Sequence, residues 1–262
     1  MSTDTQKQTI PWRIIPASVA GASHLHQGLP CQDAHYWEIL PEGVLIAAVA
    51  DGAGSASLAE VGSQIAVGAA VETVRKNPQS LSTPPEDETT WHQFLRHTLK
   101  AASLSVSAEA VMRDAEVRDL ATTLILVIAT PTIVAVAQIG DGAVVIKDGK
   151  GSLFTLSAPQ QGEYINETTF LISDHAVEKA QFKVWQGEID HLAVFSDGLQ
   201  LLALEMPDGS PFEPFFKPLF HFVTEAADEE EARQQLAKFL SSDRVTQRTD
   251  DDVTLFLASL IR

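Results

Sequence analysis

The stretch Val44–Gln64, VLIAAVADGAGSASLAEVGSQ, decides how this chain is read. Val44 to Ala50 is an unbroken apolar run rich in β-branched residues. A run of that length predicts a buried strand. Asp51 stands at its end, and Gly52, Ala53 and Gly54 let backbone approach a ligand closely. Ser57 with Glu60 predicts a capping box, and Leu58, Val61, Ile65, Ala69 and Val74 predict a helical stripe ending near Arg75. A carboxylate is thus held at the tip of a buried strand beside bare backbone. Three readings stay open at this point. One is a site for a hard metal, with Asp51 and a backbone carbonyl as oxygen ligands. Another is a dinucleotide loop, since Gly52 to Ser57 is nearly G-x-G-x-x-G, although the third glycine is missing and Glu72 lies within the helical stretch. The third is a plain strand-turn-helix whose aspartate is favoured by the helix dipole.

Composition narrows the classes. The chain has 262 residues, 45% hydrophobic, enough for one large domain with a substantial core. With 18 Lys and Arg against 35 Asp and Glu, the net charge is −17. That disfavours nonspecific binding to nucleic acid or anionic membrane, while excess carboxylates suit hard divalent metals. Cys31 is the sole cysteine, so no internal disulfide forms and a reducing compartment fits best. No apolar run reaches the length of a membrane span, and the polar N-terminus lacks a secretory core. A cytoplasmic protein is expected, with residues 1–10 as a flexible tail and 11–262 as one domain.

Further strands are expected at Trp12–Val19, His35–Leu40, Ala121–Ala129, Ile133–Ile139, Ala143–Lys147 and Val253–Ile261. Helices are expected at Thr89–Asp114, Phe212–Ala226 and Glu229–Ser241, and a helix begins at Leu199. Gly21–Pro30, Ala158–Thr169 and Asp243–Asp250 read as loops. Lys183–Glu188 and His191–Ser196 read as a strand pair joined at Ile189-Asp190.

Five carboxylates then share one topological position. Asp51, Asp141 and Asp197 follow strands, while Asp33 and Asp251 precede them. Where neighbouring strands are antiparallel, such ends and starts meet at one rim. Clustered carboxylates repel one another unless cations intervene. Oxygen ligands without paired Cys or His point to Mg²⁺ or Mn²⁺ rather than Zn²⁺, and such ions activate water for phosphoester hydrolysis.

Here the chain resembles the metal-dependent type 2C Ser/Thr protein phosphatases. Gln32-Asp33-Ala34 is similar to the first acidic motif of that family, and Val49-Ala50-Asp51-Gly52-x-Gly54 to its central Asp-Gly-x-Gly. Ala121-Thr122-Thr123, Ile139-Gly140-Asp141, Phe195-Ser196-Asp197-Gly198 and Asp251-Asp252-Val253-Thr254 resemble the remaining motifs, in order. The resemblance implies an α+β fold, a four-layer α-β-β-α sandwich of two antiparallel sheets flanked by helices. It implies hydrolysis of phosphoserine or phosphothreonine on proteins, opposing a Ser/Thr kinase. It implies two Mn²⁺ or Mg²⁺ ions, the first held by Asp51, Asp197 and Asp251, the second by Asp51 and the Gly52 carbonyl. Asp33 belongs to the same metal-site set and acts on bound water, and Asp141 with Asp197 matches a weaker third ion. Three departures stand out. Ala53 replaces a His that many members carry as general acid. The segment that holds a phosphate-binding Arg in the family offers His24 and His26 instead; either is a candidate phosphate contact, His24 also a candidate catalytic group, and two exposed loop histidines is the plainer reading. Asp252 replaces an Asn, leaving Asp250, Asp251 and Asp252 as contenders for one ligand, with the motif register favouring Asp251. A phosphatase-like module that binds metal or phosphoprotein with little turnover is the alternative function.

Overall fold

The computed structural model describes residues 12–77, 85, 87–159 and 168–261; the expected tail and most of the expected 158–169 loop lie outside them. Two five-stranded antiparallel sheets form the centre. The first holds β1 (Trp12–Val19), β6 (Ala143–Asp148), β7 (Leu153–Ser157), β9 (Ile189–Phe195) and β12 (Val253–Leu260), in the order β1-β12-β9-β6-β7. The second holds β2 (Ala34–Ile39), β3 (Leu45–Ala50), β4 (Leu124–Ala129), β5 (Ile133–Ile139) and β8 (Gln181–Gln186), in the order β2-β3-β4-β5-β8. A small hairpin pairs β10 (Leu204–Glu205) with β11 (Ser210–Pro211).

The all-apolar character of β3 follows from what covers it. Leu45, Ala47 and Val49 face the other sheet, where Ile14, Val194 and Phe256 lie. Ile46, Ala48 and Ala50 face helices α2 (Ala59–Arg75) and α3 (Glu88–Met112). An antiparallel sheet usually keeps one polar face, but here both faces are dry and alternation disappears from the sequence. The first sheet is covered likewise. Ile15, Ala193, Phe195 and Leu257 pack on Phe216 and Phe220, while Leu236 closes the same layer. The helices of α4 (Ala176–Lys179), α5 (Gln200–Ala203), α6 (Glu213–Glu225), α7 (Glu229–Leu240) and α8 (Asp243–Thr246) complete the chain, with α1 (Ala22–Gln27) near its start. The result is the expected four-layer α-β-β-α sandwich.

Several local expectations are corrected. Gly21–Pro30 is not all loop, because Ala22–Gln27 forms a short helix closed by Gly28 in the left-handed region at φ 68°. Asp243–Thr246 adds a helical turn inside the expected 243–250 loop. The Ser57–Glu60 capping box does not form. Helix α2 starts after Leu58 without a side-chain cap, and Leu58 N–H donates to the Asp119 carbonyl at 2.8 Å. A capping box does occur between Glu116 and Asp119, at the turn Val117–Leu120. The deeply buried face of α2 is Gly62, Ser63, Ala66, Val67, Ala70 and Val71, with Val61, Ile65 and Ala69 on its flank. Small residues face inward because the helix lies close to its neighbours.

The strands at 181–186 and 189–195 are not a pair. β8 joins β5 in one sheet, and β9 lies between β12 and β6 in the other. The link crosses between layers, held by Gly187 N–H to Thr132 O at 2.9 Å and Ile189 N–H to Pro131 O at 3.0 Å. Val184 serves the helix-covered core and Leu192 and Val194 the inter-sheet core. A two-residue link looks the same in sequence whether it turns a hairpin or changes sheet.

The close packing of α2 separates two glycines. A Cβ on Gly62 would lie 2.2 Å from the Leu120 carbonyl oxygen, whereas Gly68 has nothing within 4 Å. Gly62→Ala is expected to destabilise the protein by about 1–3 kcal/mol through overpacking. Gly68→Ala is expected to stabilise it by about 0.5–1 kcal/mol through reduced unfolded-chain entropy. Urea unfolding of both variants checks the contrast, and equal gains would contradict the close approach.

Candidate metal centre

All five acidic positions lie where strands of the two sheets begin or end. Asp33 precedes β2 and Asp51 follows β3, and the register Ala34↔Ala50 puts these ends side by side. Asp141 lies between β5 and β6, Asp197 follows β9, and Asp251 precedes β12, with Ala143 and Leu255 both paired to Phe195.

Backbone and hydroxyl groups hold the rim in place. Asp51 N–H donates to Thr123 Oγ1 at 2.9 Å, and the Asp51 carbonyl accepts from Thr123 N–H at 2.8 Å and Thr122 Oγ1 at 2.9 Å. The Ala121-Thr122-Thr123 motif thus clamps the aspartate that opens the centre. Ala53 N–H donates to the Ala121 carbonyl at 2.9 Å. Ser196 Oγ donates to Asp33 Oδ2 at 2.7 Å and accepts from Thr254 N–H at 2.9 Å, tying the Ser-Asp-Gly motif to the first and last motifs. Gly198 is needed because a Cβ there would fall 2.3 Å from the Asp252 carbonyl oxygen. Gly52 is wedged between the carbonyls of Gln32 and Ala59, each 2.7 Å from where a Cβ would stand.

Asp51, Asp141 and Asp197 each offer a carboxylate oxygen, and these oxygens lie within 4.8 Å of one another. Asp33 and Asp251 act on Asp51 electrostatically from just outside that group. Burial, then the charges of Asp33 and Asp197, push the Asp51 carboxyl well above its usual range. Burial raises Asp33 to about 7, opposed by hydrogen bonds from Ser196 and Thr254 and assisted by Asp252 and Asp197. Burial and then Asp141 raise Asp197 to about 6. Asp251, which is more exposed, is also raised, chiefly by burial. Two buried oxygens, Asp33 Oδ1 and Asp197 Oδ1, have no hydrogen-bond partner. Crowded carboxylates with unpaired buried oxygens and no histidine or thiol among them fit hard divalent cations.

The remaining candidates are placed as follows. His24 is buried, and its Nδ1 lies 2.8 Å from Asp252 Oδ1; the expectation of two exposed loop histidines is corrected on this point. His26 is exposed on α1. Asp252 is 2% exposed, and its carboxylate accepts from Gly21 N–H at 2.7 Å and Gln32 N–H at 2.5 Å as well as meeting His24. Its carboxylate is thus taken up by buried donors, whereas Asp251 is the more exposed of the two. Glu72, weighed for a ribose contact, is exposed and paired with Arg75 and Lys76. The Cys31 thiol is pushed up by burial and by Asp33 and Asp252, as befits an inert side chain. Sequence reasoning did not foresee the bridging role of Ser196, or Thr168 Oγ1 donating to Asp141 Oδ2 at 2.7 Å, or Gln200 Nε2 donating to the Asp141 carbonyl at 2.5 Å. Only the Ser-Asp-Gly motif carried a signal for any of these.

An acidic rim at the open end of two stacked antiparallel sheets defines a metal-dependent phosphohydrolase class of site. The chain belongs to the protein phosphatase 2C family, whose model matches residues 20–241. It is 38% identical over 253 residues to serine/threonine-protein phosphatase 3 of Escherichia coli strain K12, covering 94% of this chain and 98% of that one. Its fold is similar to serine/threonine phosphatase Stp1 from Staphylococcus aureus, with a TM-score of 0.65, 13% identity and full coverage of both chains. It is also similar to the catalytic domain of serine threonine protein phosphatase PstP, solved in complex with two manganese ions, with a TM-score of 0.61 and 17% identity over 96% of this chain and 99% of that one.

Two outcomes follow from the electrostatics. Raised carboxyl pKa values mean that the metal-free folded protein binds more protons than the unfolded chain between about pH 4 and 7, so its stability falls as pH rises through that window. Asp51→Asn removes one of the repelling charges. In chelator at a pH of about 7.5 this variant is expected to melt above the parent, with the gap narrowing toward pH 4. Added Mn²⁺ is expected to raise the melting temperature of the parent but not of the variant. Calorimetry with and without metal checks both; a variant less stable than the parent in chelator would show that repulsion is not the dominant force at the rim. Separately, Asp252→Ala strands three buried donors and is expected to cost about 2–4 kcal/mol in chemical denaturation, with Asp252→Asn costing less.

Proposed function

We propose that this protein hydrolyses phosphoserine and phosphothreonine on protein substrates in a divalent-metal-dependent reaction. The convergence of Asp51, Asp141 and Asp197 within 4.8 Å carries this reading, together with membership of the protein phosphatase 2C family. Asp51, Asp197 and Asp251 would hold one Mn²⁺ or Mg²⁺ ion, Asp51 and the Gly52 carbonyl would hold a second, and Asp141 with Asp197 would hold a weaker third, a set supported by the approach of Asp51, Asp141 and Asp197. When bound, such cations neutralise phosphate charge and make water nucleophilic at neutral pH.

The chain's own groups supply the rest. Asp33 keeps Oδ1 free of any partner while Ser196 fixes its other oxygen. That free oxygen is suited to accept a hydrogen bond from a water at the rim. The rim is uniformly acidic, so a phosphate enters only when cations offset it. His26 is open to a substrate phosphate on α1, and His24 works inside, on Asp252. Ala53 provides no imidazole next to the central aspartate, so leaving-group protonation falls to water or to another group. The substrates are phosphoproteins made by a Ser/Thr kinase, and a single cysteine supports a reducing, cytoplasmic setting. Among the described residues no helix is long and apolar enough to cross a membrane.

The test is phosphate release from a phosphothreonine peptide. Turnover is expected with Mn²⁺, none in excess chelator, and a loss of about 10²-fold or more in kcat for Asp51→Asn and Asp197→Asn, with folding retained. Equal turnover by Asp51→Asn would overturn the assignment.

A further inference from the structure

At the opposite end of the first sheet lies a cleft of about 480 Å³, within the size range of small-ligand sites. It is separated from the rim by the length of β9, six residues from Asp197 to His191, or roughly 20 Å. Its floor is part of one row that runs across four strands. His191 pairs with Lys147 and Ser259, and Lys147 pairs with Leu153. On the same face the preceding positions are Val145, Ala193 and Leu257, all buried under α6. The apolar face therefore turns basic at its last row.

Helix α6 forms the other wall, contributing Lys217, Phe220, His221 and Thr224, with Glu213 as the acidic residue of the lining. Neither Lys147 nor Lys217 forms an ion pair among the described residues. Glu213 precedes Lys217 by one helical turn, yet the two are not within ion-pair distance in this structure. The last carbonyls of α6 would offer partial negative charge to the cleft, but the Arg13 guanidinium takes them, donating to Val223 O at 3.3 Å and to Thr224 O. His191 is fixed by Ser259 Oγ at 2.7 Å and stacked on Phe220 with ring centres 4.7 Å apart. Burial and the Lys147 charge hold its ring neutral, at about 4, with Asp190 acting weakly against them. Among the described residues neither lysine is ion-paired, so the lining carries two lysines against the single carboxylate of Glu213, beside the apolar surfaces of Leu153 and Phe220. In a chain of net charge −17, a pocket of opposite sign is a place where an anion is selected by local field against the global one.

We propose that this cleft binds a small organic anion, a phosphate or a carboxylate carried on an apolar body, at a site separate from the metal rim. The two lysines attract the charged group, His221 offers a hydrogen bond, and the body rests on Leu153 and the His191–Phe220 pair; the Thr224 hydroxyl is already spent on the Phe220 carbonyl at 2.9 Å.

The experiment is a ¹⁵N NMR titration of the full chain with Mg²⁺, using phenylphosphonate in one arm and phenylacetate in the other. Saturable shifts at the amides of Lys147, Gly151, His191 and Thr224 are expected at roughly 1–10 mM, apart from any shifts at the acidic rim. Lys217 is exposed, so Lys217→Glu folds normally and is expected to weaken binding about fivefold, while hydrolysis of a small aryl phosphate is unchanged. Shifts with phenylphosphonate alone assign an organic phosphate, shifts with phenylacetate alone a carboxylate, and shifts with both the shared anionic chemistry. Absence of shifts at these amides in both arms, or binding unaltered in Lys217→Glu, overturns the proposal.

Discussion

Like charge confined to a small, partly dry volume is the constraint on which this structure turns. Asp33 is buried and Asp51 and Asp197 are half-buried at one rim, with their proton affinities raised chiefly by desolvation and then by neighbouring carboxylates. Nothing in a hydrophobic core favours that arrangement. It is held because the surrounding fold over-determines the backbone that carries it. The two sheets contribute their ends to the rim, and the apolar layers between and outside them supply the stability that the rim consumes.

The glycines and small hydroxyl residues of the short motifs belong to that support. Thr122 and Thr123 grip both sides of the Asp51 peptide, and Ser196 joins Asp33 to Thr254 across two sheets. Gly52 and Gly198 admit neighbouring carbonyls that any Cβ would displace. These residues fix where the carboxylates stand rather than adding ligands, and precise placement is what a site of this kind requires.

Charge is distributed unevenly along the same sheet. One end of β9 leads into the acidic rim and the other into a row with Lys147 and His191. Asp252 shows a different solution to a buried charge. It is surrounded by two backbone N–H groups and His24, so it binds the N-terminal segment to the final strand instead of facing the rim.

Much of this was legible in the chain itself. Long apolar runs announced strands covered on both faces, and aspartates at their ends announced a shared rim, because burial and like-charge crowding leave few other uses for such a pattern. The order of the short motifs already resembles that of the protein phosphatase 2C family. Composition and periodicity could not say that β8 and β9 belong to different sheets, since a two-residue link has one appearance and two possible geometries. They could not turn His24 inward onto Asp252. Those outcomes depend on contacts between residues far apart in the chain, 228 positions for His24 and Asp252, and only the packed structure brings such residues together.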